Sequence, residues 1–211
     1  MEFIDVLKSR SSVRTYLNRE VEEDKINYVL ECAQLAPSWV NKQCWRFIVI
    51  KDKKTITSLS KTTIINRWLR NVPCIIVACG VPKQSGKHND IEYFTVDVAI
   101  AMEHLILAAT DLGLGSCWIG GFNEKKVIET LCIPKKIRVV ALTPLGYPSS
   151  KRRILARITK AIIKSKKRKN LDGSEMTGNK CVVKNLVSNW KKFRNKKKPA
   201  CARLDKVIPD A

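Results

Sequence analysis

The stretch from residue 95 to residue 112 constrains the fold most, because a helix formed there is apolar on nearly every face. One side carries five apolar residues: Val98, Met102, Leu105, Ala109 and Leu112. The other sides are filled mainly by alanine and isoleucine: Ala99, Ala101, Ile106 and Ala108. Such a helix is buried in a core or at a subunit interface. Gly113 follows it and is expected to cap its C-terminus.

The remaining regular elements surround this helix in the sequence. A second helix is expected from Glu22, with Ile26, Val29, Leu30 and Ala33 as its buried stripe. The segments "RFIVIK", "CIIVACG" and "IRVVALTPLGYP" are short and rich in β-branched residues, which predicts buried strands. Helical or irregular structure is expected around residues 57–71, and a short helix from Asn123 to Leu131. The length of 211 residues suits one core with an appendage.

Positive charge is concentrated at the C-terminus. Residues 1–150 contain 20 Lys and Arg against 15 Asp and Glu, whereas residues 151–211 contain 20 against 4. The segment "RILARITKAIIKSKKRK" fits a basic amphipathic helix, and the sequence after Lys169 has no clear period. The basic block either binds nucleic acid or an anionic surface, or is a solvated tail.

Cysteine usage and hydropathy predict a cytoplasmic protein with reduced thiols. The eight cysteines form no CxxC pair and only two histidines are present, so no metal site is expected. The N-terminus is amphipathic and resembles no secretory signal. No uninterrupted apolar run reaches the roughly 18 residues of a membrane span.

Two polar stretches follow helices and suggest binding. "SRSSVR" offers Arg10, Ser11, Ser12 and Arg14, which is typical of an oxyanion clamp and equally of a cap with surface charge. "SWVNKQCW" offers Ser38, Asn41 and Gln43 between two tryptophans, after Pro37. These side chains either satisfy the loop's own backbone or hold a polar, planar ligand.

A third stretch, "GLGSCWIGGF", has four glycines within residues 113–121. Glycines allow close backbone approach and leave N–H groups free. Trp118 stands where a dinucleotide-binding GxGxxG motif needs its third glycine, and the stretch follows a helix rather than a strand. No Ser-His-Asp set, paired carboxylate site or HExxH motif is present, which favours chemistry carried by a cofactor.

Taken together and in this order, the stretches resemble the nitroreductase family of FMN-dependent oxidoreductases. "SRSSVRTY" is similar to the family's R-R-S-x-R flavin motif, and "APSWVNKQCW" to its A-P-S-x-x-N-x-Q-P-W loop. "AATDLGLGSCWIGGF" is similar to its helix-and-glycine motif, and "PLGYP" to its last strand and turn. The resemblance covers residues 1–150 and the basic stretch to Lys169.

The resemblance implies an α+β fold with a central mixed or antiparallel sheet, flanking helices and a long helix at a homodimer interface. It implies a nitroreductase-like domain over residues 1–169 and a basic extension over 170–211. It also implies FMN as cofactor and NADH or NADPH as hydride donor. The implied FMN contacts are Arg10, Ser11, Ser12, Arg14, Pro37, Ser38, Asn41, Gln43, Gly120, Gly121 and Arg168.

The implied activity is hydride transfer through flavin N5 to a nitroaromatic, quinone or enone. Segments 66–70 and 93–94 are expected near the acceptor, with helix packing as the alternative. This chain departs from the family pattern where Ser11 replaces a second Arg and Cys44 replaces a Pro. Two other functions stay open: different flavin chemistry on the same fold, such as dehalogenation or dehydrogenation, and a flavin- or nucleic-acid-binding module that uses the basic tail.

Overall fold

The computed structural model describes residues 1–63 and 65–149, together with two short strands between residues 176 and 181. The described helices are α1 Phe3–Ser9, α2 Glu23–Gln34, α3 Lys53–Ser60, α4 Tyr93–Asp111 and α5 Glu124–Leu131. The strands are β1 Trp45–Ile50, β2 Cys74–Gly80, β3 Lys87–His88, β4 Ile91–Glu92, β5 Gly115–Ser116, β6 Arg138–Gly146, β7 Met176–Thr177 and β8 Lys180–Cys181. Single 3₁₀ turns cover Trp39–Asn41, Arg67–Asn71 and Pro82–Gln84.

Four strands form one antiparallel sheet in the order β1-β2-β6-β5. This arrangement with its flanking helices confirms the α+β prediction. Strands β3 and β4 form a separate hairpin, as do β7 and β8. A bulge interrupts the β2–β6 register between Ala78 and Cys79. The predicted strands at "RFIVIK", "CIIVACG" and "IRVVALTPLG" are confirmed.

Strand β2 is buried along its whole length because helices cover both faces of the sheet. Since side chains alternate along a strand, its odd and even positions enter different cores. Cys74, Ile76 and Ala78 pack with α2 and α4 in the α4-side core. Ile75, Val77 and Cys79 pack with α3 and α5 in the α3-side core.

Helix α4 lies against the sheet and α2, which accounts for its apolar composition. Val98, Met102, Leu105 and Ala109 are buried there, as the pattern predicted. Gly113 ends the helix with φ +71°, the left-handed conformation that glycine adopts without strain. Among the described residues α4 is the one helix long and apolar enough to cross a membrane, and 44% of its most apolar window is buried in the protein.

The chain divides into two compact units, residues 1–155 and 156–211. The domain boundary expected at residue 169 and the basic amphipathic helix lie outside the described residues. In the second unit the structure describes only the antiparallel pairing of Met176–Thr177 with Lys180–Cys181.

Candidate functional site

The N-terminal serine–arginine segment lies directly beside the glycine-rich segment. Ser12 and Ser116 form a parallel bridge, and the Val13 N–H donates to the Ser116 carbonyl at 2.8 Å. Gly115 makes this approach possible, because a Cβ on it would lie 2.9 Å from the Cβ of Val13. The fold therefore joins two polar stretches that are about a hundred residues apart in the sequence.

Two guanidinium groups of this segment lie close to the glycine-rich stretch. Burial raises the pKa of the Cys117 thiol, and the positive charges of Arg14 and Arg10 and a hydrogen bond with Ser12 partly oppose that rise. Arg14 donates only a long bond, 3.5 Å, to the Ser12 carbonyl. Neither arginine pairs with an acidic side chain of the described residues. Both are available to an anion.

Gly120 and Gly121 border open space. No heavy atom lies within 4 Å of a Cβ placed on Gly121, and the nearest to Gly120 is Trp118 Nε1 at 3.9 Å. Neighbouring bridges hold the segment, since Ile119 exchanges two 2.9 Å hydrogen bonds with Leu142. Within the described structure neither glycine N–H donates a hydrogen bond. These two donors can therefore serve a bound molecule.

The polar groups of the loop of residues 37–43 bind partly to one another. The Ser38 hydroxyl accepts from the Gln43 N–H at 2.9 Å, and the Gln43 amide donates to Asn41 Oδ1 at 2.9 Å. Pro37 is exposed at the start of the loop. Val40, Asn41 and Gln43 have φ values of 48°, 53° and 48°, which non-glycine residues rarely adopt. A backbone in this region needs support from its surroundings.

Asp97 of α4 supplies that support, and the sequence analysis missed it. Its carboxylate is 2% exposed and accepts from the Trp39 N–H at 2.8 Å, from Ser85 Oγ at 2.7 Å and from Cys44 Sγ at 3.4 Å. Cys44, which stands where the family pattern has Pro, thus donates to the same carboxylate. The sequence did contain an indication of this role, because Asp97 is an acidic residue within the most apolar stretch of the chain.

Burial raises the pKa of the Cys44 thiol to about 11, with a further contribution from Asp97. The indole of Trp39 packs on the Tyr93 ring, with 4.3 Å between centroids. Phe94 is buried beside Gly80, where it would lie 2.7 Å from an added Cβ. Tyr93 and Phe94 therefore make packing contacts within the protein. Helix packing was the alternative given for segment 93–94 in the sequence analysis.

An open cleft of about 870 Å³ borders Gly120 and Gly121. Four basic side chains line it: Lys61, Arg67, Arg70 and Lys126. Arg67 and Arg70 belong to the segment that was expected to approach the acceptor. No acidic residue is among the described residues that line the cleft.

The structure thus brings together two groups of predicted site residues and leaves one apart. Ser12 and Arg14 adjoin Ser116 and Cys117, and the glycine pair that follows opens onto the cleft. Among the described residues no hydrogen bond joins the 37–43 loop to either group. Arg168 lies outside the described residues.

Comparison with known proteins agrees with this architecture. The model of the nitroreductase family matches residues 7–64 and 55–147. A provisionally named NADH dehydrogenase/NAD(P)H nitroreductase of Archaeoglobus fulgidus is 34% identical over 155 residues, covering 72% of this chain and 88% of that protein.

Solved structures show the same fold. A nitroreductase family protein from Clostridium novyi NT is 40% identical, with TM-score 0.69, and the match covers 72% of this chain and 87% of that one. An FMN-dependent nitroreductase from Clostridium difficile R20291 is 32% identical, with TM-score 0.64, and the match covers 70% and 88%.

Proposed function

Because this chain belongs to the nitroreductase family, we propose that it is an FMN-dependent enzyme that uses NADH or NADPH in a ping-pong mechanism. Membership and the names of its relatives support NAD(P)H oxidoreductase activity. Bound FMN would supply hydride acceptance and donation at N5, toward a nitroaromatic, quinone or enone. The cytoplasm is the proposed location.

The residues beside Ser116 fit the phosphate end of FMN. Arg10 and Arg14 carry charges that no described acidic side chain neutralises, and Ser11 and Ser12 are exposed next to them. Guanidinium forks and hydroxyls are the groups that bind phosphate oxygens. Arg168 would add a further positive charge.

The Gly120–Gly121 segment fits the reactive edge of the flavin. Its two N–H groups have no acceptor in the described structure, and its Cα atoms border open space. Fixed backbone donors aimed at a ring carbonyl stabilise negative charge without reorganisation. The adjacency of Ser12 and Ser116 is the observation that carries the proposal, because the segment proposed to bind the phosphate lies beside the glycine-rich segment proposed to contact the ring.

Pro37, Ser38, Asn41 and Gln43 would contact the flavin, some of them across the interface from a second copy of the chain. In a single chain this loop makes no hydrogen bond to the Arg10–Arg14 segment. Asn41 and Gln43 bind each other, so a flavin would replace their mutual 2.9 Å bond. Exposed apolar side chains on α1, namely Phe3, Ile4 and Leu7, offer surface for the second copy to bury.

The test is spectroscopic. Purified protein is expected to show flavin absorption near ~450 nm that bleaches when NADH or NADPH is added without oxygen. The released cofactor should be FMN by mass spectrometry, and sedimentation should give a dimer. Protein that takes up no FMN would refute the proposal. In that case the basic C-terminal block, a candidate for nucleic-acid binding, becomes the leading alternative.

A further inference from the structure

The cleft beside Gly120 and Gly121 concentrates positive charge from three separate segments. Lys61 follows α3, Arg67 and Arg70 lie in a 3₁₀ turn, and Lys126 belongs to α5. All four side chains are exposed to the cleft's solvent. Folding thus assembles a charge cluster that is not contiguous in the sequence.

No described acidic side chain neutralises these four charges. The six ion pairs of the described residues use other cations. Of the acids on the same elements, Glu124 pairs with Arg138 at 2.8 Å and Asp52 caps α3 through the Thr55 N–H at 2.7 Å. Glu129 of α5 is exposed and forms no ion pair with the described cations. A concave surface with one sign of charge attracts counter-ions and oppositely charged ligands.

The hydroxyls of the cleft do not add donors. Each already donates to a main-chain carbonyl: Thr57 to Lys53, Ser60 to Thr57, Thr62 to Leu59 and Thr63 to Ser60, at 2.7–3.0 Å. A hydroxyl has one proton to donate. The donors left for a ligand are therefore the four basic side chains and the Asn123 amide, because the two glycine N–H groups are proposed to serve the flavin. Four positive charges among these donors favour an oxyanion over a neutral polar ligand.

We infer that this cleft binds the phosphate or carboxylate group of the small molecule that exchanges hydride beside Gly120 and Gly121. Its volume, about 870 Å³, suits a small molecule. The basic C-terminal part is a poor occupant, since residues 151–211 carry 20 basic against 4 acidic residues. The inference rests on the proposed function for the identity of the ligand, whereas anion binding itself needs no hydride transfer.

Two sources can supply the oxyanion. One is the donor, through the phosphates of NADH or the additional phosphate of NADPH. The other is an acceptor that carries a carboxylate. Both would use the same charges, because guanidinium groups bind either oxyanion in the same bidentate way.

Titration calorimetry with inorganic pyrophosphate tests the binding on full-length protein as purified. We compare the wild type with Arg67→Gln/Arg70→Gln and with the control Lys135→Gln/Lys136→Gln. The control removes the same charge from exposed positions outside the cleft. The cleft variant is expected to bind pyrophosphate about tenfold more weakly, and the control to bind like the wild type. Added salt should weaken wild-type binding, because the charges are exposed.

Substrate pairs then identify the source. A cleft variant that loses kcat/KM for NADH and NADPH alike, or for NADPH more than for NADH, points to the donor. One that loses it for 4-nitrobenzoate relative to 4-nitrotoluene points to the acceptor. Unchanged kcat/KM for both NADH and NADPH, together with an unchanged ratio for the acceptor pair, refutes the assignment to the reacting molecule.

The anion site is refuted if the wild-type protein fails to bind pyrophosphate, or if both variants bind pyrophosphate as the wild type does. Either outcome refutes the anion site even if the protein's flavin is reduced normally. Pyrophosphate binding that depends on Arg67 and Arg70, in a protein without flavin reduction, would instead refute the proposed function alone.

Discussion

The backbone N–H of Trp39 donates a 2.8 Å hydrogen bond to the buried carboxylate of Asp97, fifty-eight residues away. The same carboxylate accepts from Ser85 and Cys44. It thereby fixes a loop in which Val40, Asn41 and Gln43 have positive φ. Any function of Ser38, Asn41 and Gln43 therefore depends on a residue of the central helix.

We expect Asp97→Asn to destabilise the protein. The amide would present N–H atoms toward the Ser85 or Cys44 donors, which leaves a buried polar group without an acceptor at a cost of about 1–3 kcal/mol. Urea unfolding measures the loss. The control Asp111→Asn removes an exposed carboxylate that pairs with the N-terminus, and should change stability by less than ~1 kcal/mol. Equal effects of the two substitutions would show that the loop is not held by Asp97.

Gly115→Ala and Gly121→Ala should separate folding from cofactor binding. An added Cβ at Gly115 meets Val13 at 2.9 Å, so we expect overpacking to cost about 1–3 kcal/mol. At Gly121 it meets nothing within 4 Å, and stability should change little. If the flavin lies where proposed, Gly121→Ala weakens FMN binding, measured by fluorescence titration. Unaltered FMN affinity in a folded Gly121→Ala protein contradicts that placement.

We expect the hydrogen bond between Tyr147 and Glu22 to make the stability of the protein fall at acidic pH. The Tyr147 hydroxyl donates to Glu22 Oε2 at 2.5 Å, and chiefly this bond lowers the pKa of Glu22 from 4.5 to about 2. A carboxyl whose folded pKa is lowered contributes stability above the unfolded pKa and loses it as the pH falls toward the folded pKa. The window is therefore pH 4.5 to 2.

Tyr147→Phe should flatten the fall in urea midpoint across that window while keeping the ring contact with Arg19, whose guanidinium lies 4.1 Å from the ring centre. Arg19→Gln is the matched control, because it removes a smaller cause of the same pKa shift. A wild-type slope retained in Tyr147→Phe would exclude this hydrogen bond as the source.

The buried thiols should resist alkylation. Burial raises the pKa of Cys74 to about 11 and that of Cys79 to about 12. At pH 8 about one thiol in a thousand or fewer is then ionised, and the thiolate is the reactive form. Among the six cysteines that the structure describes by burial, mass spectrometry after brief iodoacetamide treatment should find exposed Cys132 modified first. In urea the preference should disappear, and early labelling of native Cys79 would contradict the packing described.

Strong local patterns were sufficient to predict the main elements. Short runs rich in β-branched residues predicted β1, β2 and β6, and the 3.6-residue spacing of Ile26, Val29 and Ala33 predicted the buried face of α2. These patterns are local because the side chains of each element meet a core, on one face in α2 and on both faces in β2. The basic C-terminal helix and Arg168, which lie outside the described residues, stay predictions.

The details of the site depend on contacts between distant segments, which no local pattern encodes. Positive φ at Val40 is unexpected for a β-branched residue and needs the bond from Trp39 to Asp97. The glycine-rich stretch predicts close backbone approach without naming the neighbour, and at Gly115 that neighbour is the side chain of Val13. The cleft takes its charge from three segments, so only the fold shows that they meet.

Strand β2 has a consequence for how the molecule unfolds. Successive residues from Cys74 to Cys79 alternate between the α4-side core and the α3-side core. A register slip of one residue would exchange the two sets of side chains completely. Because β2 contributes alternate side chains to both cores, neither core can lose its packing against β2 without also disrupting the other core. We therefore expect the two cores to unfold together. The backbone amide hydrogens of β2 should exchange with solvent only when the whole unit unfolds.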